Sequence, residues 1–345
     1  MTWKSIRKRL IGLVGAGFVL YGVVILATLI GRLTIGEAFS PIALVNSLTP
    51  VIALPSLVGV VLMLLARKRW IALLLAPTAI VLLVLYAPRF LPRSFVTDPD
   101  RTLSILSYNI ASRRADFDPI IEIIRESNAD IVALQEFQTA AADALTPALA
   151  DLYPYTQLDP TNRFAVGMGV YSKFPLSEAV YFDALVLGSQ RMFVTMPDEL
   201  VIRLYNAHPV PPRTWGWYDD SLRRAEIALL LDDVAEGDDT LLPTIMAGDF
   251  NMSDQSDDYA RVRRAAGAGF ADAYATVGMG FGPTFPYLGR WGSASGLVPP
   301  FIRIDYVFYD PGWWSAVLAR VGESSGGSDH YPLHVVLRWD SGVDD

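Results

Sequence analysis

Three long stretches without a charged residue open this chain, from Leu10 to about Ile30, Pro41 to Ala66 and Trp70 to Ala87. A helix rises ~1.5 Å per residue, so crossing a hydrocarbon core of ~30 Å takes about 20 apolar residues. The first two stretches meet that length. The third is shorter and contains Pro77, which a membrane helix tolerates where neighbours satisfy the freed carbonyl. The expectation is a membrane region over 1–92 with three transmembrane helices near 10–31, 41–66 and 70–87. A cleaved signal peptide is the competing reading of the first stretch. Its apolar core exceeds the usual ~7–15 residues and no small-x-small cleavage site follows, so a retained span is preferred.

Lys4, Arg7, Lys8 and Arg9 precede the first stretch, and Arg67, Lys68 and Arg69 lie between the second and third. The positive-inside rule puts both clusters in the cytoplasm. Three spans then deliver everything after Ala87 to the outer side. The expected location is the plasma membrane, multi-pass, with an extracytoplasmic C-terminal domain.

Charge separates the two parts. Up to Arg93 there are ten Lys/Arg against Glu37 alone, so with a net charge of −8 the remainder carries about 17 net negative charges. An acidic domain is a poor partner for a nucleic-acid duplex, whose non-specific affinity comes from phosphate neutralisation. It suits divalent cations. The absence of cysteine excludes disulfides and thiolate metal sites.

The proline-bearing segment 93–101 reads as a linker, and 102–340 as a catalytic domain. Strand-like runs cover Leu103–Ile110, Asp130–Gln135, Ala165–Ser172, Arg191–Thr195, Val201–His208, Thr244–Gly248, Arg303–Tyr309, Ala316–Val321 and Tyr331–Arg338. Helical spacing covers Asp116–Ser127, Thr139–Leu149 and Asp219–Val234. Many strands alternating with few helices suggest two packed sheets with helices outside.

The polar residues that stand out sit at the ends of these strands: Asn109, Glu136, His208, Asp249, Asn251, Asp305, Asp329 and His330. Sites in α/β folds assemble at such an edge. Carboxylates and amides there suit a hard cation such as Mg²⁺ or Mn²⁺. Taken singly, an Asn after a strand is a turn residue, and Gly-Asp-Phe-Asn is a turn with an Asx cap. The weight lies in the combination, since two of the three histidines fall in it. Pro332 argues against a helical His330/His334 metal pair, so His334 reads as structural. Asp254, Asp257 and Asp258 read as a solvated loop or cap, Arg223 and Arg224 as surface residues. Trp215, Trp217 and Tyr218 suit ordinary packing, a substrate groove or contact with the bilayer.

Ser107-Tyr-Asn-Ile110, Leu134-Gln-Glu136, Gly169-Val-Tyr-Ser172, Asn206-Ala-His208, Gly248-Asp-Phe-Asn251, Arg303-Ile-Asp-Tyr306 and Ser328-Asp-His330 resemble, in order, the motifs of the endonuclease/exonuclease/phosphatase (DNase I-like) superfamily. The stretches His208–Pro212 and Gly282–Pro286 look like a bacterial membrane-anchored branch of VanJ-type proteins. The resemblance implies a four-layer α/β sandwich and a metal-dependent phosphoester hydrolase. It implies Glu136 as principal metal ligand with Asn109 and Asp329 in support, and Asp249 and Asn251 positioning water and phosphate. His208 would donate to a phosphate oxygen, and His330, oriented by Asp305, would act as base or charge stabiliser. Whether Asp249 or His330 takes the proton stays open at this level.

The expected substrate is a lipid-linked or other membrane-associated phosphate. The alternatives are a membrane-anchored Mg-dependent nuclease and a binding module with a decayed site. Specificity is expected from segments 209–220 and 276–302.

Overall fold

The computed structural model describes residues 3–91, 102–112, 116–213, 218–236, 242–265, 269–286 and 299–340. The linker 93–101 and Trp215 and Trp217 lie outside the described residues. The chain divides into two compact units, one N-terminal and helical, the other spanning most of 92–345.

The helical unit holds α1 (Trp3–Thr34), α2 (Ser40–Ser47), α3 (Thr49–Leu65) and α4 (Arg69–Tyr86). Stretches α1 and α4 are each long and apolar enough to cross a membrane. The second stretch is not the single helix the sequence suggested. It breaks into α2 and α3, bent by 72°, so the number of spans is two, or three if the bent pair is one. Pro50 explains the break. It sits in the first turn of α3, where its missing N–H costs nothing, but it cannot continue α2. Met63, Ile71, Ala72 and Leu75 form the packed centre of this unit, with Phe18 and Tyr21 against them. A Cβ at Gly59 would lie 2.6 Å from the Phe18 ring, so only glycine allows that approach. The Tyr21 hydroxyl donates to the Ile52 carbonyl at 2.8 Å. Leu13 (72% exposed), Leu73 (72%) and Val84 (69%) point outward, the reverse of a water-soluble helix pattern.

The second unit runs β1 (Thr102–Asn109), α5 (Asp118–Ser127), β2 (Ile131–Gln135), α6 (Thr139–Leu149), β3 (Tyr155–Asp159) and β4 (Met168–Ser172). Then follow β5 (Leu176–Tyr181), β6 (Gln190–Thr195), β7 (Val201–Ala207), α7 (Ser221–Glu236), β8 (Thr244–Asp249) and α8 (Asp257–Arg264). It closes with β9 (Ala271–Asp272), α9 (Ala273–Val277), β10 (Asp305–Tyr309), β11 (Trp314–Val321) and β12 (Leu333–Trp339). The strands make two six-stranded sheets, ordered β11-β12-β1-β2-β4-β3 and β5-β6-β7-β8-β10-β9.

The two sheets face each other across a core of Leu103, Ile105, Ile131, Val170, Leu204, Ile245, Val307 and Val335, among others. The alternate residues of the same strands, such as Leu106, Val132 and Leu134, pack under Ile120, Ile124 and Leu145 of α5 and α6. On the other sheet Tyr205, Met246 and Phe308 meet Ile227 and Leu230 of α7 and Val262 of α8. Burial on both faces is why these strands read as nearly continuous apolar runs. Truncating one such side chain, Leu204 to Ala for example, costs about 2–5 kcal/mol. The result is a mixed α/β fold of two packed sheets, layered helix, sheet, sheet, helix.

Local signals set the element ends. Pro119 opens α5, and Asn128 closes it in the left-handed region (φ 43°). Asp272 caps α9 by accepting from the Ala275 N–H at 3.1 Å.

Candidate active site

Strand pairing alone gathers the motif residues. Parallel β1 and β2 put Asn109 beside Gln135, so Glu136 follows at the same edge. Antiparallel β12 begins beside the end of β1, with Leu333 opposite Ser107, which brings Asp329 and His330 there. In the second sheet, parallel β7 and β8 align Ala207 with Gly248, and antiparallel β10 places Asp305 opposite Asp249. Gly248 holds φ +149°, and a Cβ there would lie 1.9 Å from the Ala207 carbonyl oxygen. That close approach sets the His208 turn beside the Asp249 turn. Beneath the edge, the Asn206 amide donates to the carbonyls of Leu134 (3.0 Å) and Gly169 (3.2 Å), and Gln135 donates to Asn206 Oδ1 at 2.7 Å. These bonds tie one sheet to the other under the site.

Asp249 is the hub. Its Oδ2 lies 3.0 Å from Asn109 Nδ2, 3.6 Å from His208 Nε2 and 3.6 Å from His330 Nε2. Its Oδ1 accepts the Asn251 N–H at 2.9 Å. His330 Nδ1 is 2.9 Å from Asp305 Oδ2, a pairing that fixes the ring's orientation. The Phe285 ring packs 4.8 Å from the imidazole. Asn109 Nδ2 also reaches Glu136 Oε1 at 3.4 Å, while its Oδ1 accepts the Ala111 N–H at 3.0 Å. Its amide group therefore bridges two carboxylates, with its carbonyl already used. Glu136 Oε2 accepts the Ser112 N–H at 2.6 Å, and Glu136 itself takes a left-handed φ of 56°. Asn251, also left-handed at φ 50°, donates from its side chain to the Pro209 carbonyl at 2.9 Å. Asp329 is half-buried immediately before His330. Seven of the eight expected residues are thus joined by these contacts, with Asp329 next to them in sequence.

Electrostatics follow from burial. His208, Asp249 and Asp305 are 1%, 1% and 0% exposed. Burial pushes the Asp249 carboxyl up to about 7, with His330 opposing and Asp305 adding to the rise. Burial works against a charged His330, but the carboxylates of Asp305 and Asp249 outweigh it and push the ring up to about 10. His208 goes the other way, down to about 4, because burial outweighs the attraction of Glu136. Burial also raises Glu136, yet its surroundings hold it below the usual carboxylate range. The His208 imidazole, the Ser112 hydrogen bonds and the His330 imidazole together outweigh burial.

The donor set fits a hard divalent cation. Glu136 and Asp329 are half-buried carboxylates, and Asp305 Oδ1 and His208 Nδ1 have no hydrogen-bond partner among the described residues. Asp249, Asp305 and His330 offer ligand atoms within 4.8 Å of one another, a different trio from the expected Asn109, Glu136 and Asp329. In that trio His330 Nδ1 and Asp305 Oδ2 are already engaged with each other, which makes it a His–Asp pair beside a second carboxylate.

Several neighbours escaped the sequence reading. Arg223 is not a surface residue but 1% exposed. Its guanidinium donates to the Asn251 carbonyl at 2.6 Å, Asp220 at 3.1 Å and Asp258 at 3.1 Å. Asp258 is likewise buried rather than solvated, and Asp254 lies 3.7 Å from the buried Arg303. Arg224 pairs with Asp220 at 2.9 Å. Ser189 accepts the His208 N–H at 2.9 Å. The Thr284 hydroxyl accepts the N–H groups of Ile304 and Asp305 at 3.2 and 3.4 Å. His334 lies within β12, as a structural residue should, and burial pushes its ring down to about 4.

The sequence model of the Endonuclease/Exonuclease/phosphatase family matches residues 106–330, more than half of the chain, and includes all eight site residues. The chain belongs to this family. Its members are phosphoester hydrolases, and the edge described above carries the groups such chemistry uses. An endonuclease/exonuclease/phosphatase from Beutenbergia cavernae is similar in structure, with 21% identity and a TM-score of 0.55, covering 71% of this chain and 73% of that one. The human Nocturnin catalytic domain with bound sulfate gives 17%, 0.53, 69% and 95%. D. rerio TDP2 complexed with a single-strand DNA product gives 16%, 0.54, 69% and 99%. At these identities the likeness concerns the fold. No curated protein sequence matches the chain.

Proposed function

We propose that this family member is a membrane-anchored, divalent-metal-dependent phosphoester hydrolase, with its catalytic domain outside the plasma membrane, acting on a lipid-linked or other membrane-associated phosphate. The observation that carries the hydrolytic reading is the convergence on Asp249 Oδ2 of one amide and two imidazole nitrogens. In this reading Asp249 accepts a proton from the attacking water as the new P–O bond forms. The bond to the departing oxygen breaks, and that oxygen takes a proton from solvent. His208 donates to a non-bridging phosphate oxygen, and His330, held by Asp305, stabilises the charge developing there. Asn251 positions water and phosphate from its constrained turn.

Glu136 and Asp329 would hold Mg²⁺ or Mn²⁺, with Asn109 in support through the amide that bridges Glu136 and Asp249. When bound, the cation neutralises negative charge on the phosphate. The membrane reading rests on α1, α4 and the bent α2–α3 pair crossing as three spans, with the positive clusters inside. The stretches His208–Pro212 and Gly282–Pro286 support a place in the membrane-anchored, VanJ-type branch. A reporter fused after Pro92 tests the side: extracytoplasmic activity is expected, and a cytoplasmic signal would overturn it.

The full chain in nanodiscs with Mg²⁺ should hydrolyse lipid phosphates, and a Glu136→Ala chain should not. Cleavage of DNA with every lipid phosphate left intact would sink the substrate assignment. That outcome would favour the second reading, a membrane-anchored Mg-dependent nuclease. Its motivation is the similar D. rerio TDP2 structure with its DNA product. A plasmid-nicking assay against the same Glu136→Ala control decides between them.

A further inference from the structure

Beside the catalytic edge lies an open groove of about 540 Å³, lined by Tyr274, Met279, Phe281, Pro283, Arg320 and Tyr331 together with neighbouring backbone and aliphatic residues. It adjoins the site through Tyr331. Tyr331 follows His330 directly, and its N–H donates to the Thr284 carbonyl at 2.8 Å. The Thr284 hydroxyl in turn accepts from Asp305, and Phe285 packs on the His330 ring. The far wall is the end of β11, whose Val321 pairs with Leu333 at the start of β12. Tyr274 forms a buried floor, fixed from below by the Arg303 guanidinium at 5.2 Å. Met279 is 64% exposed, an unusual position for a large apolar side chain at the mouth of a cleft.

The lining has one charged residue, the exposed Arg320, which makes no ion pair among the described residues. A trough lined mainly by aromatic, aliphatic and proline residues, with a single cation at its rim, fits an anion that carries a hydrocarbon chain. A nucleic-acid strand would call for several cations along its backbone.

We propose that this groove binds the hydrocarbon portion of an amphiphilic phosphoester, with Arg320 meeting its anionic head, and so sets substrate specificity. The proposal rests on the hydrolase reading above and names the class of substrate for that site. It assigns Met279 and Phe281 to chain recognition and leaves the chemistry to the residues already described.

The test separates binding from turnover. Butyl, hexyl and octyl phosphate are titrated calorimetrically into the full chain in nanodiscs, with empty nanodiscs as the blank. From butyl to octyl, Kd should fall at least about tenfold, since each buried methylene adds favourable transfer free energy. Met279→Glu and Phe281→Asp, both at the groove surface, should flatten that dependence. Arg320→Gln should weaken all three ligands by about the same factor, up to roughly tenfold, because it removes only the charge contact. A Kd independent of chain length, or a dependence unchanged in both groove variants, overturns the proposal. A single-stranded oligonucleotide whose binding is lost in Met279→Glu while the alkyl series is unaffected also overturns it. Intact chain-length dependence with no hydrolysis of any phosphoester would count against the hydrolase reading and leave the groove standing.

Discussion

At the site edge the first sheet presents Asn109, Glu136, Asp329 and His330, and the second presents His208, Asp249, Asn251 and Asp305. On the first sheet the two carboxylates are half-buried and reachable from solvent. On the second, Asp249 and Asp305 are almost wholly buried and face imidazoles. A partly solvated carboxylate keeps its charge and can exchange a cation. A buried one has its proton affinity set by its neighbours. The two sheets thus suggest a division of labour: the first side for the metal, the second for the proton and the phosphate oxygens. Asn109 and His330 cross between the halves, through their contacts with Asp249.

The sharpest way to break that division is Asp249→Asn. The amide keeps the shape but cannot accept the water's proton, so kcat should fall about a thousandfold or more at saturating Mg²⁺. Steady-state rates across a Mg²⁺ titration check this. Recovery of the rate at high Mg²⁺ would move Asp249 to the metal side.

Asp305→Asn comes next, with kcat reduced about a hundredfold through loss of the group that orients His330. It also has a stability signature. The folded value of His330 is about 10, above its ordinary 6.5, so its charge stabilises the fold fully below about 6.5 and that contribution is lost as pH rises through about 10. Metal-free Asp305→Asn should therefore melt below the parent chain near pH 6, and the gap should close towards pH 10.5. A gap that grows with pH would contradict the assignment.

Glu136→Gln should act on the other side. The Mg²⁺ concentration for half-maximal rate should rise about 10–100-fold, with much of kcat restored at saturation. Chelation of the parent chain should abolish hydrolysis, and Mg²⁺ or Mn²⁺ should restore it. A lowered kcat with an unchanged metal requirement would erase the distinction between the sheets.

How far the sequence revealed this arrangement depends on what each residue needs from its surroundings. The strands carrying the site were readable because both of their faces are buried, which writes long apolar runs. Edge strands β3 and β5 were not, since no residue of Tyr155–Asp159 or Leu176–Tyr181 is fully buried and neither segment carries a continuous apolar run. The motif residues stood out by lying at strand ends, but their mutual distances come from pairing between strands far apart in sequence. Asn109 shows the limit: its amide bridge to Glu136 and Asp249 depends on residues 27 and 140 positions away. The break at Leu48 was signalled by Pro50, yet uninterrupted hydropathy over 41–66 concealed it, because apolarity is blind to backbone geometry. Taken alone, Arg223 reads as a surface residue and Asp258 as part of a solvated loop or helix cap for a related reason. Each looks solvated alone, and their burial is tolerable only because α7 and α8 bring them together.

Arg223 gives the smallest expected effect and the finest probe of the second sheet's half. One guanidinium on α7 ties Asp220 at the entry to that helix, α8 through Asp258 and the catalytic turn through the Asn251 carbonyl. Lysine keeps the charge but replaces the rigid fork with a single ammonium, so it cannot hold all three at once. Arg223→Lys should lower kcat about tenfold while KM moves less than about twofold, since the turn is displaced and no substrate contact is removed. If Arg223 acts through Asn251, adding Arg223→Lys to Asn251→Ala should cost little further rate, because residues in one network couple. Additive losses would make Arg223 a general support of α7 and α8, and the precision of the Asn251 turn would then have to come from its bond to Pro209 alone.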